Sequence, residues 1–522
     1  MSCNYKTQLY ALEETVARVP SAPAFKIPHV DSETQQVLEW EDISYSQFLS
    51  DIEHFAKYWL RTLTTDGVQP RSVIGMWLGG MTYIDVLHIY GMMRAGYVPQ
   101  MFSLRLPNPD VILELVARSN GKALVYDVSY TEAVAGCSLT SHQAIDARSV
   151  DVSSVILPPL PTEVDGEDTL MILHTSGSTS GRPKLVPLSF AWWDHGLQKS
   201  AQCTRPYNAN RLDVNVWMGS MCHMGQEFML SGAIQHGTCT VQATSQGFSS
   251  SELMDMVTRC GLNRMNQFPS FLTVHLRASR QNPKLLAMLQ GLDEIFYSGM
   301  PLSQEDEGTE CGTMLLSVPG WPTMAPPLQP LEGVSYRFSP IESSDTEEHQ
   351  NANMRMLELV ILAESRDCPD RSLRSSDGHY HTGDLFIEVS PGHYVSRGRD
   401  DDWIKSENSL RCDTRAIEEN TRMTCADLIA DCIVVGNFRP SPVLFVEPKA
   451  DVDAEKLKKD IMRRTRHFHS RRYLHERITS ANCIVVVPQG TLPRTASKGN
   501  IRRRAVEEAY KSKLDHIFGV KC

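Results

Sequence analysis

A short apolar segment, Leu170-Met171-Ile172-Leu173, runs straight into the polar stretch HTSGSTSGRPK, from His174 to Lys184. The apolar part reads as a buried strand. The stretch behind it sets Thr175, Ser176, Ser178, Thr179 and Ser180 around Gly177 and Gly181, and closes on Lys184. Glycine lets successive backbone N–H groups converge on one point, and the hydroxyls add further donors. Lysine supplies a compact positive charge. A loop of this make-up after a strand suits a polyphosphate. The plainer reading is an ordinary polar loop, as many Ser/Gly runs are. It is not a Walker loop, because Arg182 stands where that pattern needs its second glycine.

The surrounding pattern alternates strand and helix. Ser44 and Gln47 form a predicted capping box. Phe48, Leu49, Ile52, Phe55, Ala56, Trp59, Leu60 and Leu63 follow at helical spacing. A strand is predicted over 73–78, a helix over 84–93 ending at Gly96, and another strand over 123–126. Further strands are predicted over 214–218, 239–241, 295–297 and 357–362. Strand, helix and strand in turn imply parallel sheets covered by helices. The proline-rich segment Val318 to Pro330 reads as an irregular connection rather than a central strand.

A chain of 522 residues exceeds one compact core. The pattern changes after a predicted hairpin, with strands over 385–389 and 394–395 and a turn at Pro391-Gly392. Beyond Gly398-Arg399-Asp400-Asp401-Asp402 the units are short: a helix over 414–422, strands over 433–435 and 443–446, and a helix from Asp453 onward. The expected fold is therefore α/β, a large N-terminal domain over 1–398 and a small C-terminal α+β domain over 399–522. The boundary falls at 399–402.

Composition excludes several classes. A net charge of −11 argues against nucleic-acid binding. No apolar run reaches membrane-span length, and the N-terminus lacks a signal pattern. The 13 cysteines form no CxxC pair, so no zinc site or disulfide framework is expected, and a reducing, cytoplasmic setting fits. The basic stretch Arg463 to Arg472 reads first as a solvated helix face, with a docking patch for an acidic partner as the alternative.

The Thr175–Lys184 stretch resembles the phosphate loop of adenylate-forming enzymes, the superfamily of acyl-CoA synthetases, luciferases and peptide-synthetase adenylation domains. Their usual form is TSGSTG-x-PK; here Ser180 lengthens it by one residue. Four more motifs resemble the same superfamily, in its order: Gly308-Thr309-Glu310, Tyr380-His381-Thr382-Gly383-Asp384, Gly398-Arg399-Asp400-Asp401, and Leu492-Pro493-Arg494-Thr495-Ala496-Ser497-Lys498-Gly499. The likeness is greatest to fungal peptide-synthetase-like adenylation domains.

The resemblance implies roles. Thr175, Ser176, Gly177, Ser178, Thr179, Ser180, Gly181 and Lys184 would hold the phosphates of ATP. Thr309 would contact the α-phosphate and Glu310 would hold Mg²⁺. Asp384 and Arg399 would bind the ribose, and Asp401 would be the hinge. Lys498 would meet the substrate carboxylate and α-phosphate, although its order with Gly499 is reversed relative to most members. His223 would stand at the wall of the acid pocket, near 266–270 and 298–302. The implied reaction makes an acyl-adenylate from a small carboxylic acid and releases pyrophosphate. Transfer to coenzyme A or to phosphopantetheine on a carrier domain in trans would follow. One departure stands out: only Ser303 to Glu307 separate Leu302 from Gly308, a connection about 15 residues shorter than in relatives, enough for a strand and a helical turn. Two further readings stay open, a nucleotide-binding or interaction protein without turnover, and a piece of a larger synthetase.

Overall fold

The computed structural model describes residues 5–103, 106, 108–161, 164–175, 184–208, 210–297, 313–318, 327–341, 356–400, 403–405, 411–450, 452–470, 472, 474–494 and 500–519. Two six-stranded sheets carry the first part of the chain. The first runs in the order Thr140–Gln143, Ala123–Tyr126, Val73–Leu78, Val98–Ser103, Thr169–Thr175, Lys184–Ser189. The second runs Glu294–Tyr297, Arg264–Gln267, Val214–Val216, Cys239–Val241, Pro23–Val30, Val37–Ser44. Both are parallel except for the last strand of each, which returns antiparallel.

Two helices join these sheets through one core. The Tyr45–Thr65 helix buries Phe48, Ile52, Phe55, Ala56, Trp59 and Leu63. Tyr83–Arg94 is buried on nearly every side, as its almost continuous apolar sequence requires. The two cross closely at Gly91, where a Cβ would come within 2.7 Å of the Phe55 Cβ. Phe25 of the second sheet packs edge-on against Phe48 and Tyr83, with centroids 4.9 and 5.1 Å apart. Further helices cover the outer faces: Pro109–Arg118 on the first sheet, and Ser250–Asp255, Pro269–Ser279 and Pro283–Gln290 on the second.

A third six-stranded sheet is wholly antiparallel, in the order Leu315–Ser317, Leu328–Pro330, His393–Arg399, Tyr380–Ser390, Met356–Ile361, Tyr336–Pro340. After it a separate core begins. It draws on Ile404 through Leu514 and includes no earlier residue. It packs around Ile429–Val435, Val443–Pro448 and Ile484–Val486, covered by the helices Thr414–Thr424 and Ala454–Ser470.

Three local expectations change. The end of the proline-rich segment is a strand after all: Leu328–Pro330 lies inside the third sheet. Pro330 takes its last position, where its missing N–H is no loss, and the Leu331 N–H carries on to the Met314 carbonyl at 3.2 Å. Ser44 does cap its helix, accepting from the Gln47 N–H at 3.2 Å. However, the Gln47 side chain turns forward to Asp51, at 2.7 Å. The reciprocal capping box is found instead at Thr82 and Asp85. Finally, the predicted hairpin is longer at both ends and takes in the 380–384 motif and Arg399.

Candidate functional site

The phosphate-loop residues 176–181 lie outside the described residues, as do Thr309, Glu310, Asp401, Lys498 and the short connection 303–307. The ends of the loop are well defined. Thr175 and Lys184 are cross-strand neighbours in an antiparallel pair. The glycine- and hydroxyl-rich segment is thus the connection of a hairpin, and Lys184 stands exposed at its exit.

The floor of that hairpin holds a residue the sequence reading passed over. His174 stacks on Phe102, with centroids 4.4 Å apart. Its Nδ1 lies 3.0 Å from the Met101 carbonyl oxygen and its Nε2 lies 3.1 Å from the Gln100 amide nitrogen. A carbonyl only accepts, so Nδ1 carries the proton and Nε2 accepts from Gln100. Burial pushes this histidine down to about 4, so it is neutral at ordinary pH. It is a fixed strut at the end of the Thr169–Thr175 strand. Its signal in sequence is only that it opens the polar run.

The Tyr380–Asp384 motif sits where two strands fall out of step. Glu358 pairs with Leu385 and Val360 pairs with His381, so Thr382, Gly383 and Asp384 bulge from the ladder. Bulges re-aim side chains and interrupt pairing, and side chains take over the freed groups. The Thr382 hydroxyl donates to the Leu359 carbonyl at 2.8 Å and accepts from the Asp384 N–H at 3.0 Å. The Gly383 N–H donates to Glu358 Oε1 at 3.2 Å. Gly383 has φ +72, and a Cβ there would crowd the Arg399 guanidinium at 3.3 Å. Glycine is needed at this point on both counts.

Asp384 and Arg399 are direct cross-strand partners. Arg399 Nη1 donates to Asp384 Oδ1 at 3.3 Å, with both side chains part-exposed. The structure therefore brings together two residues that sequence analysis drew from separate motifs. A carboxylate can accept from two hydroxyls at once, so this corner can take a diol.

His223 caps the Met224–His236 helix, its Nδ1 accepting from the Gly225 N–H at 3.1 Å. Its ring meets the edge of Phe268 at 6.1 Å. A Cβ on Gly219 would lie 2.9 Å from the same phenyl ring and 3.4 Å from the Gln246 amide nitrogen. His223, Gly219, Phe268 and Gln246 thus cluster beyond the carboxyl end of Val214–Val216, the end of a parallel sheet where ligands bind.

The segment that carries Lys498 is also pinned at its base. Arg494 and Ile501 form an isolated antiparallel bridge. Arg494 reaches Asp431 at 2.9 Å and Glu447 at 2.6 Å. These partners are too far away in sequence for any local pattern to show. Among the described residues no group of three His, Cys, Asp or Glu side chains could hold a metal ion, and no helix is long and apolar enough to cross a membrane.

Fold comparison agrees with this layout. The Bacillus subtilis O-succinylbenzoate coenzyme A synthetase MenE, in complex with AMP, superposes with a TM-score of 0.71 at 14% identity, covering 96% of this chain and 98% of its own. ATP-bound MatB from Rhodopseudomonas palustris superposes with a TM-score of 0.70 at 16% identity, covering 98% and 100%. The architecture is that of the adenylate-forming class, a large N-terminal region followed by a small C-terminal one. The chain belongs to the AMP-binding enzyme family: the family's model matches residues 12–309, and that of the AMP-binding enzyme C-terminal domain matches 401–520. A curated relative, the AMP-binding domain-containing enzyme iboA of Amanita muscaria (strain Koide BX008), is 36% identical over 508 residues, covering 90% of this chain and 95% of its own.

Proposed function

We propose that this chain condenses a small carboxylic acid with ATP to give an acyl-adenylate and pyrophosphate, then passes the acyl group to a thiol. The observation that carries the reading is the Asp384–Arg399 corner, a carboxylate and a guanidinium paired at a bulged ladder in a chain of this family. Asp384 would accept from both ribose hydroxyls, with Arg399 beside it. The loop 176–181 and Lys184 would steady the β- and γ-phosphates. The acid would lie near His223 and Phe268, and its carboxylate would attack the α-phosphorus in line as the bond to pyrophosphate breaks. Lys498 would neutralise charge on the attacking carboxylate and the α-phosphate. Glu310, beside Thr309, would hold Mg²⁺, which would supply charge neutralisation at the phosphates; one carboxylate plus phosphate oxygens is an ordinary donor set for that ion.

The small C-terminal region, bounded at 399–402, would then turn about Asp401 and offer a second face to coenzyme A or to a carrier's phosphopantetheine. The cytoplasm and secondary metabolism are the proposed setting. The deciding experiment is ATP–pyrophosphate exchange with a panel of aromatic, short aliphatic and amino acids. Acid-dependent exchange supports the proposal, and its complete absence with nucleotide binding intact would sink it.

A second reading, nucleotide binding without turnover, draws on a different observation. Among the described residues, Glu294–Tyr297 is the end strand of its sheet, and Tyr297 is 40% exposed. The short 303–307 connection follows this strand in sequence, outside the described residues. Grafting a relative's longer segment between Leu302 and Gly308 separates the readings: a gain of exchange supports the second, and vigorous exchange by the unaltered chain removes it.

A further inference from the structure

We infer that Glu358 is a positioning residue for the ribose-binding carboxylate, and that His381 locks Glu358 in place through its charge. The inference rests on the proposed role of Asp384.

The bulge takes Thr382–Asp384 out of register with the Met356–Ile361 strand. Glu358 Oε1 accepts from the Gly383 N–H at 3.2 Å and so fixes the Thr382–Gly383 peptide, one residue ahead of Asp384. Its other oxygen, Oε2, lies 3.0 Å from His381 Nδ1. The opposite ring nitrogen, Nε2, lies 3.1 Å from Asp377 Oδ2. Carboxylate oxygens accept, so both imidazole nitrogens act as donors. Only the imidazolium has two N–H groups. The geometry therefore selects the charged histidine, held between a strand carboxylate and a turn carboxylate.

The two carboxylates divide the work. Asp377 sits in the turn ahead of the motif and also accepts from the His379 N–H at 3.0 Å. Glu358 comes from the Met356–Ile361 strand and reaches the bulge itself. The chain runs from one contact to the next: Asp377 to His381, His381 to Glu358, Glu358 to the Gly383 peptide, and from there to Asp384. No member touches the proposed nucleotide except Asp384.

Titration follows from this arrangement. The hydrogen bonds to Asp377 and then Glu358 raise the His381 pKa above its ordinary value, against a smaller opposing effect of burial. The charged groups that meet the ring are Glu358 on the neighbouring strand and Asp377 in the turn; His379 lies two residues ahead, its Nδ1 accepting from the Ala363 N–H, and Arg399 lies across Gly383. A raised histidine pKa means the lock is complete below the ordinary histidine range. It is lost as pH climbs through the raised value. One ring N–H then disappears, and one carboxylate loses its donor.

The test uses the full chain and calorimetry with AMP and with Mg-ATP, from about pH 6 to about pH 9, together with thermal unfolding. Glu358→Ala removes the acceptor for Gly383 and should weaken AMP binding about ten-fold, the size of one lost hydrogen bond. Glu358→Gln keeps an oxygen for Gly383 but no charge for His381. It should bind AMP nearly as wild type does, with the affinity no longer falling as pH rises. His381→Gln should flatten the same pH profile. A purely structural role would lower the unfolding temperature and leave the AMP affinity of the folded protein unchanged, and that result overturns the inference. If Glu358→Ala does not fold, the pH profiles of the other two variants decide, and profiles identical to wild type overturn it. Failure of the wild-type chain to bind either nucleotide would remove the ribose reading of Asp384 itself and this inference with it.

Discussion

Two ion pairs in this molecule look alike on paper and differ in every physical respect. Lys199 and Asp367 meet at 2.7 Å with both side chains 1% exposed. Arg399 and Asp384 meet at 3.3 Å with side chains 35% and 25% exposed. The first is saturated. Asp367 also accepts from the Ser365 hydroxyl at 2.6 Å and from the Tyr336 hydroxyl. Burial alone would push its carboxyl up, but the lysine charge and these donors together hold it below the ordinary range. The second pair lies at a bulge, with both side chains part-exposed. A buried charge must be paired and hydrogen-bonded, whereas a ligand-directed charge must keep some of its capacity unused. The buried pair ties the Phe190–Cys203 helix to the segment that joins Met356–Ile361 to Tyr380–Ser390, whereas the part-exposed pair sits at the bulge itself.

The largest expected effect breaks the buried pair. Lys199→Ala strands Asp367 in the interior, and removing one partner of such a pair costs about 3–5 kcal/mol of stability. Denaturant unfolding should show this loss, while the nucleotide affinity of the molecules that remain folded stays at the wild-type value. A stability loss too small to measure would mean that Tyr336 and Ser365 alone satisfy Asp367.

Asp384→Ala should invert that outcome. Two hydrogen bonds to a charged acceptor would be lost on binding, a cost of about 3 kcal/mol or more in ATP affinity. Stability should change far less, because the side chain is part-exposed and its partner can turn to water. Calorimetry showing unchanged ATP affinity would move the ribose contact away from this motif.

Arg494 falls between the two extremes. It is half-buried, it pairs with Asp431 and Glu447, and it anchors the segment that carries Lys498. Arg494→Met should slow adenylate formation about ten-fold through misplacement of the lysine, with ATP affinity close to wild type. Lys498→Ala, by contrast, should nearly abolish exchange. Equal rates in wild type and Arg494→Met would show that the loop positions Lys498 without this anchor.

Much of this was legible in the chain. The alternation of short apolar runs with amphipathic stretches announced parallel sheets, since a strand buried on both faces must be apolar throughout. The motif at 380–384 and the arginine at 399 could be read as separate signals. Their meeting could not, because register depends on how many residues a bulge absorbs. Glu358 was invisible for the same reason: it reads as one polar residue in an apolar strand. Leu328–Pro330 was missed because the prolines around it dominate local propensity, while the neighbouring strands decide the outcome. The strands Pro23–Val30 and Val37–Ser44 join a sheet whose next strand, Cys239–Val241, is some two hundred residues away, beyond the reach of any local window.

A third carboxyl sharpens the contrast from the other side. Glu227 is fully buried like Asp367, but its donors are neutral: the Gln8 amide and the Tyr90 hydroxyl, both at 3.1 Å from Oε1. With no cation beside it, burial pushes its pKa up to about 8, and these two donors only moderate the rise. Folding therefore favours the protonated acid. Above the ordinary carboxyl value the unfolded chain has released this proton while the folded chain keeps it. Stability must then fall as pH rises, up to about 8, by about 1.4 kcal/mol per pH unit from this one group, and level off beyond. Asp367, with its lowered pKa, contributes in the opposite sense: its share is present above the ordinary carboxyl range and is lost only in acid. Glu227→Gln keeps an oxygen for Gln8 and Tyr90, and its amide can donate toward the Gln8 oxygen that has no partner in the fold. The variant should therefore be more stable than wild type near neutral pH, and the difference between the two should grow with pH. Denaturant unfolding at several pH values measures that difference directly. A constant offset between the two proteins across that range would show that Glu227 is ionised in the fold, and that burial alone does not separate it from Asp367.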